Sequence, residues 1–155
     1  MRCAIPLGIP FQTGKHSGTT GVVSNGANAL PAGAMTIAQL MRNAGYFTGV
    51  VGKWALGPPS SDGAPLKQGF DYFFGYPTQV AAHNYFPETL MENNRRVPMS
   101  GNSASGELNI SAERKVYSAE VIHGRALAFI ESTGSGLFTC SSITTCLTST
   151  MNFTR

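Results

Sequence analysis

Lys53 is the side chain of this 155-residue sequence that is best placed to meet a charged substrate. It lies in Gly52-Lys53-Trp54-Ala55-Leu56-Gly57, directly after the aromatic and β-branched stretch 46–51, which predicts a buried strand ending at Gly52. Because ligands bind at the carboxyl ends of parallel strands, an ammonium group here could hold an anion. The alternative is a strand-end lysine whose charge simply reaches water, and this segment alone favours that alternative.

The histidines and cysteines show no metal-ligand spacing. His83 and His123 could each be a ligand or an acid–base group, but no second His, Asp or Cys lies at a suitable spacing in the sequence. A structural or surface role is therefore favoured for both. The three cysteines, Cys3, Cys140 and Cys146, form neither a disulfide framework nor a closed metal site.

Composition excludes several classes of protein. The hydrophobic content of 42% is enough to bury a core, whereas charged residues make up only 12%, about half the usual share. A formal charge of +3 is too small to argue for a nucleic-acid partner. No apolar run approaches the roughly 20 residues of a membrane helix, and we expect no signal peptide because the first residues lack an apolar stretch.

The elements that must position Lys53 and His83 read as an α/β chain. Thr36 can cap a helix that runs to about Ala44, with apolar residues three and four apart along one face, and Gly45 occupies the expected left-handed C-terminal position. The segment from Leu56 to Pro65, rich in glycine and proline, must be loop. A second helix is predicted over Ala112–Glu131, ended by Gly134, while residues 69–87 follow no clear period.

The C-terminal stretch differs in kind from the rest. From Ser132 to Thr154 there is no Asp, Glu, Lys or Arg, and half of the residues are Ser or Thr. The stretch follows no period of 2 or 3.6, so it predicts neither strand nor helix. We therefore divide the chain into 1–136 and a tail, 137–155, that is expected to be unrelated to the rest and unstructured.

Several segments in order resemble the N-terminal part of type I sulfatases, the bacterial arylsulfatase-like branch of the alkaline phosphatase superfamily. The resemblance covers about residues 11 to 136. The segments that carry it most clearly are Thr36-Ile37-Ala38-Gln39-Leu40, Gly52-Lys53-Trp54-Ala55-Leu56-Gly57, Gly69-Phe70-Asp71-Tyr72-Phe73-Phe74-Gly75-Tyr76 and Ala82-His83-Asn84-Tyr85-Phe86-Pro87.

The resemblance implies a fold and a chemistry. The fold would be a partial alkaline-phosphatase-like domain, with a mixed, mostly parallel sheet flanked by helices. Sulfatases hydrolyse sulfate esters with a formylglycine made from a cysteine, here matched by Cys3, and with a bound Ca²⁺. Lys53 matches the family lysine that contacts the nucleophile and the sulfate, and His83 is a weaker candidate for substrate binding.

The sequence departs from the family pattern at the site itself. The Ser-Arg pair of the Cys-x-Pro-Ser-Arg pattern is absent after Cys3, which also lies one residue too far from Thr13-Gly14, and this argues against formylglycine installation. Ala55 stands where the family has a histidine. The family's calcium ligands have no counterparts here, so we expect no metal ligands in this chain. Codon degeneracy allows Pro-Ser-Arg to be read in another frame just after Cys3, and a different stretch typical of the family to be read in a neighbouring frame over residues 137–147. We hypothesise that the Cys3 loop and everything after Gly136 are frame-shifted; divergence is the rival explanation.

The resemblance predicts a sulfuric ester hydrolase acting on small-molecule or polysaccharide sulfate esters, inactive in the form of this chain. One alternative is a non-catalytic sulfate- or anion-binding remnant that keeps Lys53. Another is a phosphate or phosphonate ester hydrolase of the same superfamily. Export is usual in the family, and neither a nucleic acid nor a membrane is expected as a partner.

Overall fold

A five-stranded sheet with helices on both faces forms the body of the chain. The structure is a computed structural model that describes residues 8–20, 29–107, 110–134 and 136–143. The helices are α1 (Gly8–Thr13), α2 (Ser17–Thr20), α3 (Ile37–Asn43) and α4 (Ser118–Thr133), with 3-10 turns at Pro65–Gln68 and Ala81–His83. The strands are β1 (Phe47–Lys53), β2 (Tyr72–Tyr76), β3 (Thr89–Glu92), β4 (Arg95–Pro98), β5 (Ser103–Ala104), β6 (Ser111–Glu113) and β7 (Phe138–Ile143).

The main sheet is mixed, with strand order β4-β3-β2-β1-β7. Strand β1 lies between β2 and β7 and runs parallel to both, while β2–β3 and β3–β4 pair antiparallel. The β3–β4 pair is a hairpin whose turn includes Asn93 in the left-handed region, at φ 54°. The α/β class and the mixed sheet flanked by helices are thus confirmed. The expectation that the sheet is mostly parallel is wrong, because only the β1–β2 and β1–β7 pairings are parallel, while β2–β3 and β3–β4 are antiparallel.

Alternate residues of β1 and β2 point into two separate cores, as the period of a strand requires. Val50 and Phe73 pack with Trp54 and with Ala38 of α3 on one face. Val51 and Phe74 pack on the other face, where α4 contributes Val121, Ile122 and Ala126. Both clusters cover β1, so the strand that ends in Lys53 is buried along most of its length.

Helix α3 begins and ends where the sequence predicts. The hydroxyl of Thr36 accepts a hydrogen bond from the backbone N–H of Gln39, whose side chain in turn accepts from the Thr36 N–H, and Gly45 has a φ of 86°. The face defined by its apolar spacing is nevertheless largely exposed: Ile37 is 40% exposed and Leu40 54%, while Ala38 is 1% exposed.

Helix α4 starts six residues later than predicted, because residues 111–116 are held in other interactions. Ser111–Glu113 forms β6, and the side-chain oxygen of Asn102 accepts the backbone N–H groups of Lys115 and Val116 at 2.9 and 2.8 Å. Those donors are therefore engaged outside a helix. The C-terminal end at Gly134 is confirmed, with a φ of 54°.

The expectation that residues 137–155 are unstructured is wrong for β7. Residues Phe138–Ile143 pair with β1 from Phe47↔Phe138 to Gly52↔Ile143. The strand contains Phe138, Thr139 and Ile143, residue types that are common in strands, although no hydrophobic period marks it. Among the residues that the structure describes, no helix has the length and apolar character needed to cross a membrane.

Candidate functional site

Lys53 is the last residue of β1, at the carboxyl end of the parallel part of the sheet. It lies opposite Tyr76, the last residue of β2, in the parallel register. Its side chain is half-buried, and its Nζ donates a hydrogen bond to Oε1 of Gln79 at 2.7 Å. The ammonium therefore lies at the sheet edge where α/β proteins bind ligands, in a defined orientation rather than extended into solvent.

Gln79 connects Lys53 to the second candidate, His83. Nε2 of Gln79 is 3.5 Å from Nε2 of the exposed imidazole. The structure thus brings Lys53 and His83 together through a residue that the sequence did not single out. The sequence signal that could have identified Gln79 was its position. Gln79 follows the end of β2 by three residues, and the carboxyl ends of neighbouring parallel strands lie side by side at the same end of the sheet.

The turn after Lys53 is anchored by Trp54. Its indole Nε1 donates to the Gly63 carbonyl at 2.7 Å, its backbone N–H donates to the Tyr76 carbonyl at 2.9 Å, and the side chain is 2% exposed. Ala55 then adopts a φ of 56°, in the left-handed region that is uncommon for a residue other than glycine. This position is where the family resemblance expects a histidine, so the turn is present without the imidazole.

Tyr76 fixes the segment that carries His83. Its hydroxyl donates to the Asn84 carbonyl at 2.5 Å and lies 2.7 Å from Oγ of Ser118, the first residue of α4. Burial raises the pKa of Tyr76 to about 12, with a smaller opposing effect of the Ser118 hydrogen bond. The phenol therefore stays neutral at physiological pH, and it ties the end of β2, the His83 turn and α4 together.

The remaining sequence candidates contribute less to this site. Cys3 and Cys146 lie outside the described residues, and His123 is exposed on α4. Cys140 is half-buried on β7, and burial raises the pKa of its thiol, which opposes the thiolate form. Within the described part of the chain, no three His, Cys, Asp or Glu side chains are grouped so as to hold a metal ion. The residues present here therefore do not form a calcium site.

The fold and the motif around Lys53 agree with the comparison of this sequence with protein-family models. The sulfatase family model matches residues 9–140, and the chain therefore belongs to the sulfatase family.

Individual relatives agree with that assignment and show how much of a sulfatase the chain represents. Human arylsulfatase D is 38% identical over 93 residues, which are 48% of this chain and 16% of that protein. The chain thus spans about a sixth of the length of the curated relatives it matches.

Solved structures show the same fold. The crystal structure of Ps i-CgsB superposes on 94% of this chain and 35% of its own with a TM-score of 0.72 at 20% identity. The structure of BT4656 in complex with its substrate, D-glucosamine-2-N,6-O-disulfate, matches 89% of this chain and 23% of its own, with a TM-score of 0.62 at 24% identity. At such identities the likeness is one of fold.

Proposed function

We propose that this chain forms part of a sulfate-ester site in which Lys53 provides the positive charge that faces the sulfuryl oxygens. The observation that carries the proposal is the position of Lys53, at the carboxyl end of a central parallel strand and hydrogen-bonded to Gln79. An ammonium whose direction is already fixed loses little freedom when it binds an anion. Such a group also stabilises the negative charge that develops when the ester bond breaks.

The reaction that family membership implies for an intact site of this kind is hydrolysis of a sulfuric ester by the formylglycine route. In that route a hydroxyl of the hydrated aldehyde forms a bond to sulfur as the alcohol leaves, and the second hydroxyl then expels sulfate as the aldehyde re-forms. Family membership supports this chemistry. Two features of the sequence oppose turnover by this route. The residues after Cys3 lack the Ser-Arg pair of the family pattern, and Ala55 cannot donate or accept a proton.

We therefore propose that the chain with its present sequence binds sulfate esters without turning them over. No step is assigned to calcium, since the described residues do not form a site for it. Sulfated saccharides are the proposed ligand class, supported by the disulfated glucosamine bound to BT4656. Aryl sulfates are the second candidate, supported by the similarity to arylsulfatase D. Export of the chain remains a prediction from the resemblance.

The test combines binding with turnover. Inorganic sulfate, inorganic phosphate and a sulfated glucosamine are titrated by calorimetry into the wild-type chain, Lys53→Met and Lys67→Met. Lys67 is a matched control because it is an exposed lysine paired with Asp62 and takes no part in the Lys53–Gln79–His83 contacts. We expect sulfate affinity to fall about tenfold or more in Lys53→Met, the cost of a lost charge-assisted hydrogen bond, and to be unchanged in Lys67→Met.

Hydrolysis of 4-nitrophenyl sulfate and mass spectrometry of the Cys3 peptide complete the test. We expect unmodified cysteine and no release of nitrophenol. Turnover that requires Cys3 would overturn the non-catalytic part of the proposal. Equal sulfate affinity in the two lysine variants would overturn the assignment of Lys53, and phosphate binding that exceeds sulfate binding would favour the phosphate-ester alternative.

A further inference from the structure

We infer that Gln79 is a positioning residue that orients Lys53 and fixes the tautomer of His83 through the direction of its side-chain amide. The inference rests on the proposed function, because it concerns how the same site presents its donors to an anion. It depends on three groups in a row: the ammonium of Lys53, the amide of Gln79 and the imidazole of His83.

The chemistry of the first contact settles the direction of the amide. A lysine ammonium has donors and no acceptor, so the Gln79 atom 2.7 Å from Nζ must be the carbonyl oxygen, as the structure has it. Turning the amide over would place its NH₂ donors against the ammonium, an arrangement with no hydrogen bond and with like partial charges in contact. The Lys53 charge thus holds Oε1 on its own side and directs Nε2 toward His83.

The direction of the Gln79 amide then determines which ring nitrogen of His83 carries the proton. The NH₂ group of Gln79 can only donate, so a hydrogen bond across the 3.5 Å contact requires the ring nitrogen to accept with its lone pair. His83 consequently carries its proton on Nδ1, and its Nε2 is unprotonated. A protonated or Nε2–H ring would place N–H against N–H and lose the contact. The Nδ1–H, on the opposite side of the exposed ring, is left as a donor for an anionic ligand.

The backbone on both sides of Gln79 is held in place, which limits where its side chain can lie. On one side, Gln79 follows β2, whose last residue is paired with Lys53 itself. On the other side, the Thr78 hydroxyl accepts the Ala81 N–H at 3.3 Å and the His83 N–H donates to the Val80 carbonyl at 3.2 Å. Gln79 is half-buried between these two anchors, which limits the alternative positions of its amide.

The first experiment reads the tautomer directly and does not require any ligand. Long-range ¹H–¹⁵N spectra are recorded on the full chain with ring-labelled histidine at about pH 8, where imidazole is neutral. Because the chain has three histidines, His16→Asn and His123→Asn assign the His83 signals. We expect a protonated Nδ1 and an unprotonated Nε2 for His83.

Two substitutions of Gln79 shift this signature in different ways. Gln79→Leu removes the donor, so the fixed Nδ1–H form should be lost. Gln79→Glu accepts at both ends, from the ammonium and from the ring, so His83 should move to the Nε2–H form. A wild-type ring with its proton on Nε2, or a tautomer that neither substitution changes, would overturn the inference.

The second experiment measures the consequence for the site. In a titration with inorganic sulfate, Gln79→Leu should bind about three- to tenfold more weakly than wild type, the effect of one lost orienting hydrogen bond. Asn43→Leu, which removes an exposed amide at the end of α3, controls for general effects of the substitution. If wild type binds no sulfate, the proposed function fails while the tautomer result still decides the role of Gln79. If sulfate binds equally to wild type and Gln79→Leu, the positioning role is refuted and the sulfate site stands.

Discussion

Tyr76 offers a test of the packing behind the site, because its hydroxyl connects three parts of the chain. Replacing it with phenylalanine removes the hydrogen bond to the Asn84 carbonyl and the contact with Ser118. Tyr76 is 1% exposed, so the groups left behind have no ready access to water. At neutral pH we expect Tyr76→Phe to lower the free energy of unfolding by about 1–2 kcal/mol.

The same substitution should cost less at alkaline pH. The pKa of Tyr76 is raised by burial from 10.0 in the unfolded chain to about 12 in the fold. A raised tyrosine pKa means that the unfolded state loses its proton first, so the stability is fully present below pH 10 and is lost as pH rises toward 12. By about pH 11 the wild-type chain loses roughly 1.4 kcal/mol at this residue, and Tyr76→Phe loses none of it.

The assay is urea unfolding followed by the fluorescence of Trp54, the only tryptophan in the sequence and a buried one. The stability difference between wild type and Tyr76→Phe should fall from about 1.5 kcal/mol at pH 7 to near zero at about pH 11. Tyr72, whose pKa is also raised to about 12, titrates in both proteins and cancels. Tyr46→Phe controls for the loss of a phenol elsewhere. A difference that stays constant or grows with pH would refute the assignment of the raised pKa to Tyr76.

Four further substitutions test the scaffold by the same unfolding assay. Gly75→Ala should lower the free energy of unfolding by more than about 3 kcal/mol, because a Cβ there would lie 1.9 Å from the Gly52 carbonyl oxygen. Its control is Gly106→Ala, at a φ of 87° with open space around it, which should cost only about 1 kcal/mol. Glu92→Gln should cost about 1–2 kcal/mol, less at high salt, since the carboxylate pairs with two arginines and accepts from a tyrosine hydroxyl. Gly124→Ala, in the interior of α4 with open space at its Cβ, should stabilise by about 0.5–1 kcal/mol. The result that contradicts each is a change of the opposite sign or, for Gly75, a cost no larger than that of Gly106.

The boundaries that the sequence predicts well depend on local interactions. The Thr36 cap, the left-handed Gly45 and the glycine that ends α4 each depend on residues within one turn of the chain. The direction in which α3 faces, by contrast, does not depend on local interactions alone. Thr36 donates its hydroxyl to the Gln68 carbonyl at 2.6 Å, 32 positions away, and this buried contact helps to set the rotation of the helix. Apolar spacing alone cannot contain that information, so it does not predict which face of α3 is buried.

The candidate site likewise has a part that the sequence predicts and a part that only the fold reveals. The position of Lys53 at the end of a buried strand could be predicted, because that strand is visible in the sequence and its end is marked by a glycine. Gln79 could not, since its role depends on β2 lying beside β1, and residues 69–87 follow no readable period. His83 was a candidate without a partner until the fold placed Gln79 between it and Lys53.

Strand β7 shows that a segment without charge or a hydrophobic period can still form a strand. The absence of charge and period after Ser132 predicted a tail without structure, yet six of its residues pair with β1. Pairing in a parallel sheet uses backbone N–H and C=O groups, so it needs only side chains that fit beside the neighbouring strand. The family match ends at residue 140, within β7, whereas the pairing continues to Ile143. Strand formation therefore does not distinguish a native tail from a frame-shifted one. The nucleotide sequence does: the frame-shift hypothesis requires the family stretch in a neighbouring frame, and an unbroken frame whose tail is shared by homologues would exclude it.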